Sequence, residues 1–316
     1  AESIGFPVVI KAAAGGGGRG MFLARDTATV SSLFSGASEE ARNAFGDGSL
    51  YIERFVDHAR HVEVQVFGDG EGKVIHFGER DCSIQRRYQK LVEEAPCTVL
   101  PASLRRDLHA AAVQLTSDLK YRNAGTVEFL YDVERQAFYF IEVNARIQVE
   151  HPVSELLSRR DLVAMQLQLA GGSPLELQQA DITLHGHALE CRINAEDAAN
   201  NFHPSPGRIG AWDVPEGDFI RLDTFCHKGA LVSPYYDNMI GKLIVYGLNR
   251  EEAIDRMLSA LRRLCIDGIE TNVALQQSIV GHPDFRDNRI STRWLERTGL
   301  PDYLSTCKEQ AFHGSY

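Results

Sequence analysis

Two segments decide the fold: Thr126-Val-Glu-Phe-Leu-Tyr131 and Phe138-Tyr-Phe-Ile-Glu-Val143, the second running on through Asn144-Ala-Arg-Ile-Gln-Val-Glu-His-Pro-Val153. Both are rich in β-formers and a short polar stretch joins them, so they read as a hairpin. Period-two alternation puts Glu142 and Asn144 on one face of the return strand, and Glu128 can face them from the first strand. Two carboxylates and an amide oxygen are hard ligands of the kind Mg²⁺ takes. A solvated strand face is the alternative. Arg146 and Glu150, four apart, read either as an oxyanion fork beside a base or as an i,i+4 ion pair on a helix.

Outward from this hairpin the pattern is mixed. Val62, Val64 and Val66 alternate with Glu63, Gln65 and Phe67, the period of a strand. Asp69-Gly70 is a turn signal, and Val74–Phe77 reads as the return strand. Residues 103–120 have helical spacing with Ser103 as the expected N-cap. Asp161–Ala170 and Glu251–Leu264 also read as helices, and 187–193 and 240–246 as strands. Strands and helices without strict alternation argue for an α+β fold. A coarse boundary falls near residue 56.

Near the N-terminus, Phe6–Ala14 and Met21–Ala24 read as strands joined by Gly15-Gly-Gly-Gly-Arg-Gly20. Glycines let backbone N–H groups approach an anion closely. A dinucleotide fold needs a helix directly after such a loop, and a P-loop needs Gly-Lys-Ser/Thr. Neither is here. A phosphate-covering hairpin with Lys11 beside it is the remaining ligand-binding reading; a bare surface hairpin is the other.

The 316 residues are 44% hydrophobic and 24% charged, an ordinary globular mix with no span of the roughly 20 apolar residues a bilayer needs. A net charge of −10 argues against nucleic-acid binding, so an anionic substrate must be held by local cations. Arg80–Lys90 concentrates cations, as a solvated loop or as an anion contact. Arg192 reads as an anion ligand or a structural ion pair. The six cysteines form no C-x-x-C, which fits free thiols in a reducing compartment.

Together these segments resemble the biotin carboxylase family of ATP-grasp enzymes. The resemblance rests on Val8-Val-Ile-Lys-Ala12 with the glycine loop, Arg60-His-Val-Glu-Val-Gln-Val66, Glu79–Arg87, Gln89–Pro96, Phe140–Val153, Glu190–Asp197, Pro204–Gly207 and Pro234–Lys242 in family order. It spans about residues 1–300 and implies an α+β ATP-grasp fold. Its expected divisions are part of a lid subdomain at 1–55, the core with the family's C-terminal domain at 56–300, and a tail at 301–316.

The resemblance also implies an activity: Mg-ATP phosphorylates bicarbonate to carboxyphosphate, whose CO₂ passes to biotin. By position, Lys11, Gly17 and Gly18 would hold phosphates. Glu53, Arg54, Phe55 and Val56 would line the adenine pocket. His61, Gln85 and Tyr88 would lie by the nucleotide. Glu128, Glu142 and Asn144 would bind Mg²⁺ or Mn²⁺. Lys90, Arg146, Gln148 and the Val149 backbone would hold bicarbonate, Glu150 would deprotonate it, and Arg192 would orient biotin. The implied partners are a biotin carrier and a carboxyltransferase, with a homodimer in the intact parent, no nucleic acid, no membrane and a cytoplasmic setting. Tyr88 and Ala145 depart from the commoner family residues. The family's N-terminal domain has no counterpart before Ala1, so a fragment or processed form is expected. The competing readings are a non-catalytic nucleotide-binding fragment and another carboxyphosphate-forming ATP-grasp ligase.

Overall fold

The computed structural model describes residues 1–15 and 20–313, the side chains of 310–313 excepted. Gly17 and Gly18 of the glycine loop lie outside the described residues. The chain divides into two compact units, residues 1–58 with 87–89, and residues 59–86 with 90–316.

The first unit is a three-stranded antiparallel sheet of β1 (Val8–Ala12), β2 (Met21–Ala24) and β3 (Leu50–Arg54), with β1 in the centre. Helix α1 (Thr27–Phe45) packs on it. Asp26 caps α1 by accepting from the Thr29 N–H at 2.7 Å, and Gly46 ends it at φ 79°, a left-handed position that glycine adopts without strain.

The second unit is built on one eight-stranded sheet. Its elements are β4 (Ala59–Asp69), β5 (Val74–Arg86), β6 (Gln89–Ala95), α2 (Ala102–Asp118), β7 (Arg122–Asp132), β8 (Ala137–Asn144), α3 (His151–Ser158), α4 (Leu162–Ala170) and β9 (His187–Asn194). Strands Ile220–Thr224 and Met239–Gly247 and helices α5 (Arg250–Arg263) and α6 (Val273–Gly281) follow. The spatial order is Ile220–Thr224, Met239–Gly247, β9, β6, β5, β4, β7, β8. This antiparallel-rich sheet with helices on its faces is the expected α+β architecture.

Both faces are covered over the middle strands, while β8 at the edge is exposed. Val62, Val64 and Val66 of β4 meet Leu108 and Ala112 of α2 on one side. Phe67 and Phe77 meet Leu162 and Leu169 of α4 on the other. Leu189, Cys191 and Ile193 of β9 pack against Met257, Leu261 and Ile279 from α5 and α6. Helix α5 shows why its sequence folds: Asn249 caps it, Glu251 and Glu252 sit in its first turn, Arg262 and Arg263 in its last, and its apolar stripe is buried.

Three local expectations change. Helix α2 begins at Ala102 after Pro101 with no side-chain cap, so Ser103 lies inside the helix. The return strand after Asp69-Gly70 runs to Arg86 and absorbs most of the basic segment; Arg80 is wholly buried there, not part of a solvated loop. Arg146 and Glu150 are not helical, because α3 starts only at His151. No helix among the described residues is long and apolar enough to cross a membrane, and all six cysteines are free.

Candidate active site

Strand register builds the centre of the site. Arg80 on β5, Glu63 on β4, Glu128 on β7 and Glu142 on β8 are directly opposite one another across four strands. Thr126 and Asn144 form the neighbouring pair. The alternation read in β4 therefore does not separate core from solvent. Glu63 and Gln65 are as buried as the valines, on the face covered by residues 147–158.

Arg80 uses its whole donor fork there. Its Nε donates to Glu63 Oε1 at 2.6 Å, Nη1 to Gln65 Oε1 at 2.7 Å and Ser154 Oγ at 3.0 Å, and Nη2 to Gln148 Oε1 at 3.1 Å and Thr126 Oγ1 at 3.2 Å. A planar guanidinium so satisfied is a rigid post. It fixes Glu63 and Gln148, and Gln148 in turn donates to Glu128 Oε1 at 2.9 Å.

Lys90 gathers three carboxylates. Its ammonium donates to Glu63, to Glu128 Oε1 at 3.0 Å and to Glu150 Oε1 at 2.7 Å. The other oxygen of Glu150 accepts from Arg192 Nη2 at 2.9 Å, and Arg192 Nε donates to Glu93 Oε1 at 2.6 Å. Glu150 is thus a buried carboxylate clasped between two cations. Lys242 Nζ donates to the Val149 carbonyl at 2.8 Å and pins the segment that carries it.

The electrostatics follow from these contacts. Burial alone would raise the Glu63 carboxyl, but Lys90 and Arg80 hold it at about 2. Burial likewise opposes the ionised Glu128, yet His61 and Lys90 keep it well below the usual carboxylate range. Burial would lower the Lys90 ammonium; Glu63 above all, with Glu150 and Glu128, drives it well above its ordinary value. Glu63, Glu128, Lys90 and Arg80 are therefore charged at neutral pH.

The remaining sequence-derived residues divide. His61 Nε2 lies 3.1 Å from Glu128 Oε2, and its Nδ1 meets Gln85 Nε2 at 2.9 Å. Asn144 Nδ2 donates to Glu128 Oε1 at 3.0 Å. Glu142 shares that face by register and is exposed. Arg146 stands apart from the Lys90–Glu150–Arg192 cluster: it is exposed and donates to the Ile147 carbonyl at 3.2 Å and to Asn144 Oδ1 at 3.4 Å. In the first unit Lys11 pairs with Glu53, Arg54 donates to the Ile4 carbonyl, the Phe55 N–H donates to the Pro7 carbonyl at 3.0 Å, and Val56 is buried. Tyr88 is exposed at a two-residue turn in which Arg87 (φ 48°) and Tyr88 (φ 66°) are both left-handed. A tight hairpin demands that geometry, and a bulky side chain adopts it only with strain.

Sequence reading missed Glu63, Glu93 and Glu190. Each sits in an alternating or apolar strand, where a glutamate reads as solvent-facing. The signal that could have found Glu93 is the consecutive Glu93-Glu94 pair between Leu91-Val92 and Ala95, because alternation sends one of the two carboxylates inward whichever face is covered.

Two known families match the chain that carries this site. Residues 1–178 match the family described as the carbamoyl-phosphate synthase L chain, ATP binding domain, and residues 190–297 match the biotin carboxylase C-terminal domain. The chain belongs to the biotin carboxylase family. It is 48% identical over 296 residues to the biotin carboxylase of a Nostoc species, covering 94% of this chain and 66% of that protein. It is 48% identical over 295 residues to the chloroplastic biotin carboxylase of Arabidopsis thaliana, with 93% and 55% covered. The biotin carboxylase domain dimer of 2-oxoglutarate carboxylase from Hydrogenobacter thermophilus, solved with MgADP, ADP and bicarbonate, superposes with a TM-score of 0.88 at 45% identity, over 96% of this chain and 66% of that one. The chain therefore spans between about half and two thirds of the length of these relatives, and its fold is that of the ATP-grasp biotin carboxylases.

Proposed function

We propose that the intact protein carries out ATP-dependent carboxylation of biotin by bicarbonate through carboxyphosphate. The observation that carries this reading is Glu150, a buried carboxylate with Lys90 on one oxygen and Arg192 on the other. Bicarbonate becomes an effective nucleophile on losing its proton, and a fixed carboxylate beside cations can take that proton while the cations hold the resulting dianion. Lys90 then balances charge at the developing carboxyphosphate. Arg192, anchored by Glu93, presents its guanidinium to the ureido oxygen of biotin as negative charge builds there. Gln148 and the Val149 backbone shape the bicarbonate pocket with Lys90. Arg146 completes it only by turning from its present contacts.

Mg²⁺ suits the donor set. Glu128 and Glu142 face each other across β7 and β8 with Asn144 on the same face, and oxygen donors of this kind favour a hard divalent cation. Bound there, the metal supplies charge neutralisation for the phosphates of ATP. His61 and Gln85, bonded to each other beside Glu128, are assigned to the nucleotide. Lys11, Gly17, Gly18, residues 53–56 and Tyr88 are assigned to phosphate and adenine contacts. We assign residues 1–55 to part of the family's lid, residues 56–300 to its core and C-terminal domain, and no role to 301–316.

The chemistry requires a biotin carrier and a carboxyltransferase as partners, a homodimer is expected by relation to the 2-oxoglutarate carboxylase domain, and the proposed setting is the cytoplasm. The test is Mg-dependent ATP hydrolysis by the intact protein. The expected result is hydrolysis that needs bicarbonate and rises with free biotin. Hydrolysis indifferent to biotin would instead favour another carboxyphosphate-forming ligase.

A further inference from the structure

Behind Arg192 lies a feature that the proposed chemistry does not use. Glu93 on β6 and Glu190 on β9 are directly opposite in an antiparallel pair, and both are wholly buried. Cross-strand partners have Cβ atoms about 5 Å apart, so their carboxyls lie side by side. Among the described residues neither oxygen of Glu190 has a hydrogen-bond partner, and Oε2 of Glu93 has none either. Only Glu93 Oε1 is engaged, by Arg192 Nε. Three orphaned carboxyl oxygens in one dry place require an explanation.

We propose that Glu190 is a positioning residue: it keeps its proton and donates its O–H to Glu93 Oε2, so that Glu93 is the member of the pair that ionises, aimed at Arg192. This deepens the reading above, because Arg192 is the cation on which Glu150 and biotin depend. A single hydrogen bond satisfies two of the three orphaned oxygens and leaves Glu190 with an uncharged carbonyl oxygen. Two adjoining buried carboxylates with no cation bonded to both do not readily ionise together, because each charge raises the other carboxyl. The surroundings set which one keeps the proton. Arg192 bonds Glu93 directly. Lys242, on strand Met239–Gly247, and Arg192 favour an ionised Glu190 from a distance, whereas Glu93 and Glu150 oppose it. Lys90 lies on the Glu93 side. Helix α3, packed on β9, brings His151, held neutral by burial, and Glu155, which is already bonded to Arg221 at 2.7 Å. Burial first, and Glu93 second, push the Glu190 carboxyl well above its ordinary range.

The experiment has two arms on the intact protein. Infrared difference spectroscopy of wild type against Glu190→Gln at pH 8.5 should show a protonated-carboxyl C=O stretch that is deuterium-sensitive and absent from the variant. No difference in that region overturns the proposal. In the second arm, Glu190→Leu, which removes the donor, should lower kcat for biotin-stimulated ATP cleavage about tenfold with KM for ATP unchanged. Glu190→Gln, whose amide can donate to Glu93, should restore most of it. Equal loss in both variants, or none in Glu190→Leu, overturns the proposal. A wild type without any biotin-dependent turnover sinks the proposed function instead, and the infrared arm still decides where the proton sits.

Discussion

Glu93 and Glu94 are consecutive on β6, and the pleat sends them to opposite faces of the sheet. Both are buried, yet their surroundings differ in kind. Glu94 is closed. Its Oε2 accepts from Arg250 Nε at 2.6 Å and meets His187 Nε2 at 2.8 Å, and its Oε1 accepts from Arg250 Nη2 at 3.1 Å. Arg250 spends its other donors on the Phe285 and Arg286 carbonyls at 2.8 and 2.9 Å. Glu93 is open: one oxygen meets Arg192, the other is left to the hydrogen bond proposed from Glu190, and the chain of contacts runs on to Glu150 and Lys90. Burial pushes the Glu93 carboxyl up to about 7 against the pull of Arg192. Burial acts on Glu94 in the same direction, but Arg250 and His187 outweigh it and hold the carboxyl at about 2. Equal burial thus gives opposite results: Glu94 has three donor contacts, whereas Glu93 has one and the like charge of Glu150 nearby. The closed face holds the sheet together, and the open face keeps charge available for the proposed reaction.

The largest test of that contrast is Glu150→Gln, at the far end of the open face. Removing the proposed base should lower bicarbonate-dependent turnover by about 10² to 10⁴-fold, read by steady-state ATP hydrolysis, with the fold kept. A loss of folding instead of turnover would put Glu150 on the structural side. Next is Glu94→Gln on the closed face. It leaves Arg250 buried without its anion and should destabilise the protein by about 3 kcal/mol in urea denaturation at pH 7. Its acid sensitivity should fall as well. The wild-type Glu94 carboxyl is depressed, so its contribution is present above about 4.5 and lost as pH falls toward 2. His187→Leu should do less, between about 1 and 3 kcal/mol, because Arg250 still grips both oxygens of Glu94. If it matches Glu94→Gln, the closed network depends on the histidine more than its geometry indicates.

How far the sequence foretold these faces can be seen from single residues. Glu128, Glu142 and Asn144 were legible because a two-stranded hairpin and its period fix who faces whom. That Lys90, Glu150 and Arg192 meet was legible only through the family resemblance, since three distant segments come together through sheet order, which no local pattern encodes. The α+β fold class was readable from the irregular succession of strands and helices. The burial of Glu63, Arg80, Glu93 and Glu190 was not, because alternation shows that a strand has two faces and cannot show that both are covered. Of the two readings of the Arg80–Lys90 segment, the solvated loop fails at Arg80 for the same reason: a cluster of cations looks solvated until the five donors of Arg80 are seen to be satisfied inside the sheet.

The smallest effect is the most discriminating, and it concerns Glu93 itself. Its folded-state carboxyl lies near 7, above the unfolded value of 4.5. Between these values the folded protein binds more protons than the unfolded one. Whatever stability this contributes is complete below about 4.5 and is lost as pH rises through 7. Glu93→Gln removes the titration. The stability of wild type relative to the variant should therefore fall as pH climbs from 5 to 7, with a slope of at most about 1.4 kcal/mol per pH unit, and level off above. Glu94 imposes the opposite slope, at lower pH. Urea denaturation of both variants across pH 3 to 8 thus separates the two faces by sign alone. A Glu93→Gln difference that is flat through this window would mean that Arg192 holds Glu93 as firmly as Arg250 holds Glu94, and the distinction between an open and a closed face would fail.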